Sequence, residues 1–264
     1  MVEHGGRDGM LSGQLIMRLF QRLFNFPPEE VLKTERRLQS RYPVGERFPL
    51  KLAVTLGDWT RIGTVRDLAV GGIGGLMPRE SRLSVDTPVR VSLMLEGYDI
   101  GMTGRIRHVR TEPGGLQCGL SLEFPDLGVR RDYLQLLMPV AIGSSLAPLD
   151  AKLVRQDEPA VHKAVYEGES ASRLTIWSRE SGNVPASLSF ELAVGEYLVR
   201  GQEGSQLKIF SQVDDMRPHR ISEVTEMGGD RLNAEIRRLF RWSVFNLRET
   251  LPESTRRFLL SFAH

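Results

Sequence analysis

Of the 264 residues only one, Cys118, is a cysteine. A single thiol excludes an intramolecular disulfide framework and a cysteine-rich zinc site, and it fits a reducing compartment. No run approaches the ~18 uninterrupted apolar residues of a spanning helix. The N-terminal stretch lacks the apolar core and small-residue cleavage site of a secretory signal, so a cytoplasmic protein is expected. Charge of one sign is also missing. The 35 Lys and Arg against 33 Asp and Glu leave a net charge of +2, too little for a broad DNA or RNA footprint. The five histidines, His4, His108, His162, His219 and His264, show no ligand spacing, so no metal is expected. No G-x-S-x-G surrounds Ser144 or Ser145, and nothing else pairs a nucleophile with a base, so an enzyme is not expected. Cys118 reads as a small core residue at the start of an apolar strand.

What remains is an ordinary soluble composition, 41% hydrophobic and 26% charged. Its length leaves room for two modest domains. Met10–Phe24 repeats leucines at 11, 15, 19 and 23, which predicts an amphipathic helix stopped by Pro27-Pro28. Three roles are open to it: packing on the chain or on a second copy in a homodimer, a partner-protein groove, or a membrane interface. Glu29 to Gln39 reads as a second short helix.

From Arg47 the pattern becomes short β-prone runs: 48–56, 61–68, 89–95, 100–110 and 118–124. Turn signals such as Glu96-Gly97-Tyr98-Asp99 divide them. This spacing predicts a small antiparallel barrel or sandwich. A helix is expected over 130–138, ending near Pro139, and a hinge over 146–150. A second β-rich stretch follows, with strands over 151–155, 162–167, 173–177, 186–192, 197–199 and 206–210. Helices are expected after Asp230 and over 253–262. Trp177 and Trp242 read as core. The chain therefore divides into 1–34, a helix and linker, 35–145, a barrel, and 146–264, a β-rich domain with a helical tail. Nothing in 151–264 names a ligand.

Two segments carry chemistry. Arg36-Arg37-Leu38-Gln39-Ser40-Arg41 places Arg37 and Arg41 four apart, able to close around one object. Guanidinium groups bind phosphates in pairs of bonds, stack on purines and match the acceptor edge of guanine. Asp67-Leu68-Ala69-Val70-Gly71-Gly72-Ile73-Gly74-Gly75 adds a carboxylate suited to the N1–H and N2–H₂ donors of guanine. Its glycines allow positive φ and let a ligand approach the backbone closely. It is neither a phosphate-binding Walker loop, since no GKS or GKT follows, nor a dinucleotide fingerprint, since no crossover helix follows. Arginines, an acid and a glycine turn together suit an anionic guanine nucleotide.

The order RxxxR and then [D/N]xSxxG resembles the PilZ domain, a bacterial receptor domain for cyclic di-GMP. Arg37 and Arg41 match the first motif, and Asp67, Ala69 and Gly72 the second. The likeness extends through 105–109 and Gly119–Phe124, covering about residues 35–140.

The resemblance implies a six-stranded PilZ β-barrel within a mainly β chain with flanking helices. It implies cyclic di-GMP as ligand, with no other cofactor and no catalysis. Arg37 and Arg41 would hold phosphate and guanine, while Asp67, Ala69, Gly71 and Gly72 would face the ligand from the barrel. Arg36, directly before the motif, is the position linked in this family to an intercalated ligand dimer. Binding would draw the arginine segment onto the barrel and alter contact with a second domain or a protein partner. A flagellar-brake-like layout suggests motility or biofilm outputs. Ala69 departs from the motif serine and removes one hydrogen bond, worth about 0.5–1.5 kcal/mol. The competing reading is a PilZ barrel kept as an adaptor that no longer takes nucleotide.

Overall fold

A computed structural model describes residues 40–156, 158–181, 184–213, 223–226 and 230–264. The expected helices over Met10–Phe24 and 29–39, with Arg36 and Arg37, lie outside the described residues. The chain divides into two compact units between Val140 and Ala141.

The first unit is a closed barrel. Its strands are β1 (Tyr42–Pro43), β2 (Lys51–Leu56), β3 (Trp59–Ala69), β4 (Gly72–Met77), β5 (Pro88–Leu95), β6 (Tyr98–Glu112) and β7 (Gly115–Glu123). Neighbours run β3-β2-β5-β6-β7-β4, and β4 returns to β3, so six antiparallel strands close the ring. Closure leaves no unpaired edges in that ring. β1 adds to β3 through Tyr42↔Leu68 and Pro43↔Asp67.

Alternation sets the interior. Val89, Val91, Leu93 and Leu95 of β5 are buried, while Arg90 between them is exposed. Leu52, Leu68, Ile73 and Ile106 are fully enclosed in the same core. The β5–β6 hairpin turns on Glu96-Gly97, both with positive φ, the geometry of a two-residue loop matched to strand twist.

Cys118 lies in the middle of β7 rather than at a strand start, and is buried. Burial pushes its thiol up to about 11, so it stays protonated at neutral pH and packs as a small hydrophobe.

Helix α1 (Leu127–Ser145) follows the barrel. The Asp126 carboxylate accepts a hydrogen bond from the Val129 amide at 2.9 Å and caps its start. The expected end near Pro139 is corrected, because the proline sits inside the helix. An interior proline forfeits a backbone bond at a cost of about 3 kcal/mol. Val140, Ala141 and Ile142 are all buried beyond it, and that burial outweighs the lost bond.

The second unit is a seven-stranded antiparallel meander in chain order. It comprises β8 (Ala147–Pro148), β9 (His162–Glu167), β10 (Arg173–Ser181), β11 (Val184–Val194), β12 (Tyr197–Gln202), β13 (Lys208–Val213) and β14 (Glu223–Glu226). Helices α2 (Asp230–Phe245) and α3 (Glu253–Leu260) complete it. Its core centres on Phe190, whose ring lies 5.2 Å from Phe240, 6.0 Å from Phe258 and 5.2 Å from Phe262.

Three expectations fail in this unit. Residues 151–155 do not form a strand. Ala151–Leu153 is a 3₁₀ turn, capped by the Asp150 carboxylate, which accepts from the Lys152 amide at 2.9 Å. The segment read as a hinge enters the sheet as β8, with Ala147 opposite Glu167. Trp177 is half-buried, with the Lys163 ammonium 5.9 Å from its ring, whereas Trp242 is in the core as expected.

Candidate functional site

The glycine segment is built differently from its sequence reading. Only Val70-Gly71 forms the turn, and Gly72, Gly74 and Gly75 lie in β4. None of these four glycines has positive φ, so the freedom that glycine allows there is not used. Close approach is the reason for three of them. A Cβ at Gly72 would meet the Leu120 carbonyl at 2.9 Å. One at Gly74 would collide with the Asp67 carboxylate, and one at Gly75 with Leu52. A Cβ at Gly71 would meet open space.

Register aligns the site across four strands. Ala69, Gly72, Ser121 and Arg105 form one row, and Asp67, Gly74, Gly119 and His108 form another two pairs along, with the buried row Leu68, Ile73, Leu120 and Ile106 between them. The Arg41 guanidinium donates to the Asp67 carboxylate at 2.5 Å, with 51% of the Arg41 side chain and 25% of the Asp67 side chain exposed. Arg41, Ala69, Val70, Gly71 and Gly72 line one side of an open groove of ≈ 590 Å³ on the barrel surface. Arg107, His108, Gly119, Leu120 and Ser121 line the rest.

The structure thus brings together Arg41, Asp67, Ala69, Gly71 and Gly72, while Arg36 and Arg37 fall outside the described residues. Chemically, Arg41 and Arg107 offer guanidinium donors to the groove, Gly71, Gly72 and Gly119 leave part of its lining bare, and Asp67 adds a carboxylate acceptor beside it through its pair with Arg41. Those features suit a planar, anionic, hydrogen-bonding ligand.

The family model for the PilZ domain matches residues 35–138. The barrel is a PilZ domain. Three solved structures are similar to the chain. The PilZ domain of CeSA from a cellulose-synthesizing bacterium is 24% identical, covering 38% of this chain and 96% of its own, with a TM-score of 0.30. The PilZ domain of YcgR from Escherichia coli with c-di-GMP is 14% identical, covering 38% and 88%, with a TM-score of 0.32. PlzA from Borreliella burgdorferi in complex with c-di-GMP is 6% identical, covering 79% and 92%, with a TM-score of 0.34. No curated protein matches the chain.

Among the described residues, no helix is long and apolar enough to cross a membrane. Among the same residues, no group of three or more His, Cys, Asp or Glu could hold a metal.

Sequence reasoning missed Tyr133, which supports the PilZ groove from beneath. Its hydroxyl donates to the Ala69 carbonyl at 2.5 Å and contacts the Gly72 carbonyl at 3.1 Å, so it ties both ends of the Val70-Gly71 turn to α1. Burial pushes its phenol well above the ordinary range, so it remains a donor. The signal is a lone tyrosine beside Leu134, Leu136 and Leu137 in a helical stretch. A buried hydroxyl needs a partner, but sequence does not say which.

Tyr133→Phe leaves these carbonyls without that donor. The expected cost is about 1–3 kcal/mol, read as a lower urea midpoint with unchanged slope. An unchanged midpoint would show that the turn holds itself.

Proposed function

We propose that the PilZ barrel is a non-enzymatic receptor for cyclic di-GMP in a cytoplasmic bacterial signalling protein. Arg36, Arg37, Arg41, Asp67, Ala69, Gly71 and Gly72 are its ligand-binding residues. The observation that carries this reading is the Arg41–Asp67 pair beside a groove with Gly72 in its floor. Arg41 is half exposed, and such ion pairs are worth about 0–1 kcal/mol. Opening the pair is therefore cheap, and the ligand supplies better partners to both sides. Phosphate and the guanine acceptor edge suit Arg41, and the N1–H and N2–H₂ donors suit Asp67.

Arg36 and Arg37 would close over the ligand from the segment before β1. Occupancy would then alter contact with a second domain or a protein partner, with motility or biofilm behaviour as output. Calorimetry of the whole chain with cyclic di-GMP tests the receptor reading. Absence of heat at high micromolar ligand would overturn it.

Ala69 favours one competing reading, a PilZ adaptor without nucleotide. It stands in the row of Gly72 and Ser121 and lines the groove with a methyl where the motif has a hydroxyl. One neutral hydrogen bond is worth about 0.5–1.5 kcal/mol. Ala69→Ser should therefore tighten cyclic di-GMP binding about two- to twelvefold. Binding absent in both proteins, with a partner still captured, would support the adaptor.

A further inference from the structure

The motif residues occupy one side of the groove, and the opposite side is built by a matching device. β3 carries a register shift between Val65 and Asp67, which leaves Arg66 as an extra residue. β6 carries another between Ile106 and His108, which leaves Arg107 as an extra residue. Such bulges bend a strand and re-aim its side chains. The two flank the same pair of strands, β4 and β7.

The symmetry extends to the glycines on which the neighbouring side chains rest. Asp67 lies against Gly74 so closely that a Cβ there would collide with its carboxylate. The His108 ring lies against Gly119 in the same way. Gly74 and Gly119 are paired across β4 and β7. The carboxylate and the imidazole therefore rest on adjacent bare strands, one from each bulge. Arg107 is exposed, and its Nε donates to Ser121 Oγ at 2.9 Å, which orients the guanidinium. One Nη lies 3.5 Å from the exposed Asp86 carboxylate, a long and solvated contact that leaves donors for a ligand.

We infer that Arg107 and His108 form the second wall of the groove and hold a purine of the ligand, His108 by stacking and Arg107 by donating to the O6/N7 edge. The inference rests on the cyclic di-GMP reading. It adds two contacts from β6 that neither arginine motif nor glycine motif contains. A guanidinium is the usual partner of that edge, and a flat imidazole on a glycine floor offers a face to a ring.

Calorimetry on the full chain tests it, with wild type, Arg41→Ala, Arg107→Ala, Arg107→Lys and His108→Ala, each checked by thermal melting. Both side chains are exposed, so melting should be unchanged. Arg107→Ala and His108→Ala should each weaken cyclic di-GMP about ten- to fiftyfold. Arg107→Lys should recover little, because an ammonium lacks the two-pronged donor. Arg107→Ala should also erode the preference over cyclic di-AMP, whose adenine has no O6. If both alanine variants bind within about twofold of wild type while Arg41→Ala loses binding, this inference falls and the receptor reading stands. If wild type takes up no ligand, both fall.

Discussion

Replacing Arg37 and Arg41 together with alanine should abolish detectable cyclic di-GMP binding while leaving the barrel folded. Each guanidinium supplies charge-assisted bonds worth about 1.5–3 kcal/mol, so losing two costs about 3–6 kcal/mol, or 10²- to 10⁴-fold. Stability should hardly move. Arg41 is half exposed and its pairing with Asp67 is solvated. Asp67→Ala should weaken binding less than the double arginine variant, because it removes one base contact and no phosphate contact. It also frees Arg41 from its present partner, which offsets part of the loss. Calorimetry and a urea curve on the same samples separate these effects. The reading would be overturned by a double variant that binds within tenfold of wild type.

The barrel was legible where local pattern and burial coincide. β5 alternates in the sequence because one of its faces is core, and Val89 to Leu95 show that period directly. In the sequence β4 reads as a glycine turn because Gly72, Gly74 and Gly75 carry no hydrophobic signal. Their reason is non-local: Leu120, the Asp67 carboxylate and Leu52 occupy the space a side chain would take. The sequence predicts that α1 ends at Pro139 because the local backbone cost is visible there, whereas the burial of Val140 and Ile142 is not.

The same divide runs through the candidate site. Arg41 and Asp67 stood out as a spaced motif, and they meet because Tyr42 and Pro43 pair β1 to β3 beside them. Arg107, His108 and Tyr133 lay beyond sequence reasoning. Their roles depend on a bulge register and on which carbonyl a helix faces, and neither leaves a local periodicity. In the second unit the strands followed their β-branched and aromatic runs, but Ala151–Leu153 did not. Asp150 capped a turn there, and local side-chain bonding outcompeted strand pairing.

Phe190→Ala should destabilise the second unit by about 3–5 kcal/mol, the cost of emptying a large enclosed aromatic site. The ring is 1% exposed and joins the sheet to α2 and α3 at once, stacking on Phe240 and meeting Phe258 and Phe262 edge-on. Gly201, its register partner on β12, is glycine because a Cβ there would collide with the Phe190 ring. The surroundings are therefore shaped to this side chain, and removing it forfeits its ring contacts with both helices at once. Phe190→Leu refills part of the volume but none of the ring geometry, so it should recover only part of the loss. Hydrogen exchange is the suitable readout, because it reports amides of β10 to β12 separately from those of the barrel. Protection in those strands should fall by about two to four orders of magnitude, matching the energy above. A fall below about fivefold would mean that the Phe190 cluster is not what holds the helices to the sheet.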